Sequence, residues 1–249
     1  MAEISSEGST FAYEVVLDAI EEKLRSGELS IGDRLPSERA MSTEYQISRA
    51  SVRDAIRVLD VLGLVRSSTG SGPSSGTIII SEPVAGLAAA LRLHVASRGL
   101  TVKEIVRTRI ILETGAALEA VIDDSPETLA KLAQAHDLLT RMDDPQLERQ
   151  VFHDLDTQFH VLLSSLSGNA VVEAMMESVR LSVRDYVANS ITTDEAWQPI
   201  AAHLRHQHHG ILDAFESNQL DEAARLLRAH IEWFYGTTTG DKTGDKQER

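Results

Sequence analysis

The sequence predicts a mainly α-helical chain, with a small winged helix-turn-helix head followed by a larger all-helical antiparallel bundle. Three observations carry that expectation. Residues 35–65, LPSERAMSTEYQISRASVRDAIRVLDVLGLV, read as two short helices, a tight turn between them and a strand. Two short β-prone runs then flank a Ser/Gly-rich tip at 67–76. Beyond Pro83 strands vanish, and apolar residues recur at helical spacing in one segment after another.

The first helix is expected at residues 10–25, where Val16, Ile20 and Leu24 recur every four residues and Ser26-Gly27 stops it. Pro36 precedes Ser37, an N-cap candidate for a second helix with Ala40 and Met41 turned inward. Ser48 caps a third helix ending near Gly63. On it Val52, Ala55, Ile56, Leu59 and Leu62 form one apolar stripe, with Arg49, Arg53 and Arg57 following at i, i+4 and i+8 beside it. The helix can bury one side and offer three guanidinium groups on another, which suits the major groove of DNA. The same pattern also describes an ordinary solvated arginine face. Residues 64–66 and 77–80 read as two short strands, and the small residues between them would let backbone amides approach phosphate.

Long amphipathic helices follow at about 84–97, 101–122, 126–141, 146–166, 169–189, 195–217 and 219–235. Gly99, Pro126, Pro145, Gly168 and Asn218 separate them, and Pro199 falls near a helix start. The expected organisation is a winged head at 1–82, a linker and connecting helix at 83–100, a helical domain at 101–235 and a disordered tail at 236–249. The tail GTTTGDKTGDKQER has no apolar periodicity.

Composition narrows the function. The 249 residues are 42% apolar but only 4% aromatic, so the core rests on Leu, Val, Ile and Ala. The absence of cysteine excludes disulfides and thiolate metal sites. The start MAEISSEGST lacks the basic and apolar regions of a signal peptide, and the longest apolar tract, residues 84–95, contains Arg92 and His94. That tract falls short of the ~20 residues of a membrane span, so a cytoplasmic protein is expected. The net charge is −14, and residues 1–80 hold eight basic against twelve acidic side chains. Between Ser48 and Arg66, however, Arg49, Arg53, Arg57 and Arg66 stand against only Asp54 and Asp60. A small positive face on an acidic body implies few phosphate contacts, weak non-specific DNA binding and a dependence on dimerisation.

In the helical region, Asp156 and His160 are four apart in DLDTQFHVLL and so share one side of a helix. In LRHQHHGILDAF, Leu204, Ile211, Leu212 and Phe215 define the apolar face, and His208 falls within it. His209 is rotated about 100° away, and His203 and His206 also point elsewhere. His230 lies on the flank of the last helix, whose inner face is Leu220, Ala224, Leu227 and Ile231. One carboxylate and three imidazoles suit a divalent transition metal such as zinc. Each histidine taken singly also reads as a satisfied core or surface residue. Arg109 and Glu113, four apart on an apolar helix, read equally as an ion pair or as an arginine awaiting an anion.

At these residues the chain resembles the GntR superfamily of bacterial transcription regulators, in the FadR subgroup with the FCD type of ligand domain. The N-terminal resemblance rests on SGELSIGDRLPSERAMSTEYQISRASVRDAIRVLDVLGLV. The C-terminal one rests on VRTRIILETGAALEA, DLDTQFHVLLSSLSGN, HHGILDAF and LRAHI. It implies DNA contacts at Arg34, Ser37, Arg39, Ser48, Arg49, Ser51, Arg53, Gly72 and Gly76. It implies a metal, zinc first and nickel or manganese as alternatives, on Asp156, His160, His208 and His230. Arg109 matches the family's arginine before a Glu and, with Arg180, is implied to meet a small carboxylate effector. The wing carries an extra Pro73-Ser74-Ser75 and no basic residue after Arg66, unlike the shorter, more basic family wing. TGSGPSSGTII, MDDP and RLSV resemble lactate-utilisation regulators of actinobacterial type, which implies L-lactate or a related acid. The function so implied is a homodimeric repressor released from a palindromic operator by that acid. A metal-dependent enzyme acting on a hydroxy or keto acid is the alternative, since such a site can also activate water.

Overall fold

The computed structural model describes residues 11–68, 76–190 and 193–239. It divides into two compact units, Met1–Leu87 and Ala88–Arg249.

In the first unit, α1 (Glu14–Ser26), α2 (Glu38–Glu44) and α3 (Arg49–Val61) precede an antiparallel pair, β1 (Val65–Ser68) and β2 (Gly76–Ile79). The expected caps form: Ser37 accepts from the Ala40 amide and Ser48 from the Ser51 amide. Each satisfies one of the donors that a helix start leaves without an intrahelical partner. The core gathers Val16, Ile20, Leu35, Met41, Val52, Ala55, Ile56, Leu59, Val65 and Ile79. Two inward expectations fail. Ala40 is exposed, one residue from buried Met41. Leu62 is 55% exposed because it is the C-cap of α3, where the stripe ends as the chain turns. At that turn Gly63 has φ +72, and a Cβ there would lie 1.9 Å from the Glu82 carbonyl oxygen, so only glycine fits.

The hairpin has a third partner that hydrophobic patterning did not reveal. Arg34 bridges Ile78, Leu35 N–H donates to Thr77 O at 2.9 Å and Ile79 N–H donates to Asp33 O at 2.9 Å. The segment before α2 thus covers one edge of β2 and satisfies its backbone groups.

Helix α4 (Val84–Ala96) leads into a bundle of α5 (Val102–Leu118), α6 (Pro126–Met142), α7 (Arg149–Ser165), α8 (Ala170–Ser190), α9 (Asp194–Glu216) and α10 (Leu220–Thr239). A Thr101/Glu104 capping box opens α5, Ser125 with Pro126 opens α6 and Thr193 opens α9. Helix α5 stops four residues before the expected end. Its continuation is drawn onto α7's end, where Val121 N–H donates to Leu166 O at 3.0 Å and Ala120 is buried. In the other direction α10 continues to Thr239, so residues 236–239 of the expected tail are helical, and 240–249 lie outside the described residues.

Helices α5, α6 and α8 pack against α7, and α9 and α10 against each other. Phe152, Leu155, Phe159, Leu163, Trp197, Leu204, Ile211 and Phe215 fill the main core. Arg205 on α9 donates to Met142 O at 2.6 Å and Asp144 O at 2.9 Å, satisfying carbonyls at the end of α6. No helix among the described residues is long and apolar enough to cross a membrane.

Candidate functional site

Four side chains from three helices converge inside the bundle. The buried face of α9 runs Trp197, Ala201, Leu204, His208, Ile211, Leu212 and Phe215, which carries His208 to the core, fully buried. On α7, Phe152, Leu155, Phe159 and Leu163 fill the apolar seam, and His160 enters beside them at 1% exposure. From α10, His230 is buried between Leu227 and Ile231. With Asp156, each contributes a ligand-type atom, and these atoms all lie within 4.8 Å of one another. His209, by contrast, sits outside and contacts Asp143 at 3.0 Å.

The proton positions within this cluster are constrained from behind. His160 Nδ1 lies 2.5 Å from Glu113 Oε2, and His230 Nδ1 lies 3.0 Å from Gln207 Oε1. Both partners are acceptors, so each imidazole donates from Nδ1 and turns its Nε2 edge inward. His160 Nε2 and both nitrogens of His208 are buried without a hydrogen bond. His208 Nε2 is only 3.0 Å from Asp156 Oδ1, yet the alignment is not that of a hydrogen bond. Orphaned buried nitrogens are costly, and three imidazoles gathered beside a carboxylate fit a cation.

Charge is balanced around them. On the buried face of α5, Arg109 Nε donates to Glu113 Oε1 at 2.9 Å, so the two form the internal ion pair. Arg180 from α8 reaches Glu113 Oε1 at 3.5 Å and pairs directly with Asp156 Oδ2. Burial alone would raise the Asp156 carboxyl. Arg180 and the His160 and His208 imidazoles together outweigh it and hold the group well below the carboxylate range. Glu113 is held down in the same way, burial being outweighed by His160 and Arg109. Burial holds the His208 imidazole below its usual value, and His230 lower still with His208 and His160 beside it.

In the head, Ser48, Arg49, Ser51 and Arg53 gather at the start of α3. The Ser48 and Ser51 hydroxyls lie 2.9 Å apart, and both arginines are exposed. Arg34 and Arg39 are exposed on the segments around Ser37. Gly76 opens β2 at φ +132, and a Cβ there would lie 3.9 Å from Arg34 NH1. Gly72 lies outside the described residues.

Comparison with known families accounts for both parts. The profile "Bacterial regulatory proteins, gntR family" matches residues 12–73, and the profile "FCD domain" matches residues 104–232. The chain belongs to the FCD-containing gntR family. It is a DNA-binding transcription regulator, not an enzyme. This FCD regulator is 28% identical over 242 residues to the HTH-type transcriptional repressor NanR of Escherichia coli K12, covering 92% of this chain and 87% of the relative. It is 26% identical over 212 residues to the HTH-type transcriptional regulator LutR of Bacillus subtilis, covering 84% and 92%. A Streptococcus agalactiae GntR structure matches with a TM-score of 0.61 at 19% identity, covering 89% and 97%, which supports the fold.

Three residues of the regulator's site escaped sequence reasoning. Glu113 was legible as a partner for Arg109 but not for His160, 47 positions away. Gln207 gave no signal, being one polar residue in a His-rich run. His153, one turn before Asp156 and two before His160, is 8% exposed with its Nε2 unpartnered, against Trp197 at 4.9 Å. Its place beside Phe152 in the buried stripe was the available clue.

Proposed function

We propose that this regulator is a homodimeric repressor carrying a divalent transition metal, zinc first, on Asp156, His160, His208 and His230. It leaves a palindromic operator when a small carboxylate such as L-lactate binds at that metal. The supporting observation is the set of buried imidazoles gathered beside Asp156, in which His160 Nε2 and both nitrogens of His208 have no hydrogen-bond partner. Three nitrogens and one oxygen without thiolate form a donor set for zinc, and nickel or manganese are the alternatives. The outer partners Glu113 and Gln207 hold the ring tautomers that such an ion needs.

Charge then argues for an anionic effector. Without an ion, Asp156 and Glu113 balance Arg109 and Arg180. A divalent cation on neutral imidazoles would leave the buried site with two uncompensated positive charges, which an anion relieves. Arg109 and Arg180, which pair with Glu113 and Asp156 beside the metal set, are assigned to that anion. The names of the relatives, one a transcriptional repressor, support the sign of control. DNA contacts are assigned to Arg34, Ser37, Arg39, Ser48, Arg49, Ser51, Arg53, Gly72 and Gly76, with arginines reading guanine and hydroxyls or amides holding phosphate. Two equivalent heads on one duplex would read a palindrome.

Calorimetric titration of zinc-loaded and chelated protein with L-lactate, pyruvate, acetate and citrate tests the reading. A heat of binding for one acid, present only with metal and accompanied by release of a bound DNA duplex, is expected. An acid response that survives complete metal removal would make the ion a purely structural element.

A further inference from the structure

The head presents an electrostatic paradox. Its recognition helix is arginine-rich, yet each of the α3 arginines lies within 4 Å of a carboxylate of the same unit: Arg49 and Arg53 near Glu38, and Arg57 near Asp54. Asp54 is a neighbour on the same helix. Glu38 is different, because it reaches across from the first residue of α2 to hold two arginines on successive turns of α3. Arg53 donates from Nε to Glu38 Oε1 at 3.2 Å and from NH2 to Oε2 at 2.9 Å, and Arg49 NH2 approaches Oε2 at 3.7 Å. The Glu38 carboxyl is held below its ordinary range, chiefly by its hydrogen bonds from Arg53.

The pairing is side-on, and that detail carries the argument. A guanidinium has five N–H groups on distinct edges. Glu38 takes the Nε/NH2 edge. It does not engage NH1, so the NH1/NH2 edge is left for a bidentate pair such as guanine O6 and N7. Half of the Arg53 side chain remains exposed to offer it. The same carboxylate cancels most of the long-range pull of that arginine on phosphate.

We propose that Glu38 is a positioning and discrimination residue for DNA. It orients the reading edge of Arg53 while suppressing the attraction of Arg49 and Arg53 for phosphates of any sequence. The inference rests on α3 being the groove-reading helix. Specificity in this head then comes from directional hydrogen bonds rather than from net charge, which is consistent with residues 1–80 holding more acidic than basic side chains. Glu38 also lies in the first turn of α2, where a carboxylate favours the helix dipole. That role alone predicts a stability change with no change in how DNA sequences are ranked.

The test uses full-length protein, a duplex enriched by the wild type from a randomised library, and a scrambled duplex of equal length. Fluorescence anisotropy is read across a salt series. For Glu38→Gln, affinity for the scrambled duplex should rise severalfold, and the salt dependence should steepen by about one phosphate contact. Preference for the enriched duplex should fall about tenfold, within the range of one bidentate base contact. Glu38→Asp keeps the charge but is too short for the side-on geometry, so preference should fall with little gain in scrambled binding. In an Arg53→Ala background, Glu38→Gln should no longer change the preference. Unchanged preference and unchanged salt slope in both Glu38 variants, with melting temperature altered or not, overturn the proposal. So does a loss of preference that persists without Arg53. Failure of the wild type to enrich any duplex overturns the groove-reading assignment itself.

Discussion

His208 and His209 are adjacent in sequence and opposite in environment, one fully buried and the other 47% exposed on its side chain. His208→Ala should weaken metal binding at least a hundredfold, while His209→Ala should leave it within about twofold, the contrast expected between a metal ligand and a surface residue. Equal losses in a competitive chelator titration would show that α9 is wrongly phased. On the proposed metal, Glu113 would act through His160, whose Nδ1 it holds. Glu113→Gln preserves volume but removes the charge that holds the Nδ1 proton, and should cost about tenfold to a hundredfold in metal affinity. The buried arginines would then lose a counterion, so the variant should also melt lower. Undiminished metal affinity would reduce Glu113 to a partner for Arg109 and Arg180.

At the scale of elements, periodicity and caps decide what each helix can present. The α9 spacing Leu204, His208, Ile211, Phe215 follows the helical repeat, so placing one imidazole inward excludes its neighbours. In α3 the cap and the proposed reading surface coincide, because Ser48 accepts from the Ser51 amide next to Arg49. Ser48→Ala should cost about 1 kcal/mol of head stability by removing the cap. It should also weaken binding to any duplex, since a hydroxyl beside the groove is lost. Thermal unfolding alongside anisotropy checks this, and intact DNA affinity would mean that the serine serves α3 alone. Helix ends respond to more than local sequence. Helix α5 ends where the Val121 amide finds the Leu166 carbonyl, and no residue between Leu118 and Val121 announces that partner.

For the whole molecule, a cation held as proposed by α7, α9 and α10 would stabilise the native state by mass action. Removing it should lower the melting temperature of the bundle by several degrees, with readdition of zinc restoring it. An unchanged melting temperature would contradict metal binding at this site. Acid should act in the same direction on the chelated protein. Burial holds His208 and His230 below the ordinary imidazole value, so during acidification the unfolded chain takes up protons that the folded chain refuses. Stability from these groups is complete above about pH 6.5 and is lost as pH falls below it. Asp156 and Glu113, both held low, add a second loss below about pH 4, where unfolded carboxylates protonate. A melting temperature that rises between about pH 7 and 5.5 would refute this assignment.

The head was largely legible from its residues. Ser37 and Ser48 mark helix starts, the Val52/Ala55/Ile56/Leu59 stripe marks the inner face, and the arginines follow beside it. The inward phase of His208 was legible for the same reason: a helix repeats every 3.6 residues, so a face follows from its near neighbours alone. What faces that face does not. The meeting of Glu113 with His160, of Gln207 with His230 and of Arg180 with Asp156 depends on how α5, α7, α8, α9 and α10 pack. The same holds for Glu38 and Arg53, which one carboxylate joins across two helices. Sequence alone determined the elements, their caps and their buried faces, because these arise from interactions within about one helical turn. Tertiary structure decided the partners of each buried charge, because a charge removed from water must be compensated by whatever packing brings within hydrogen-bond reach.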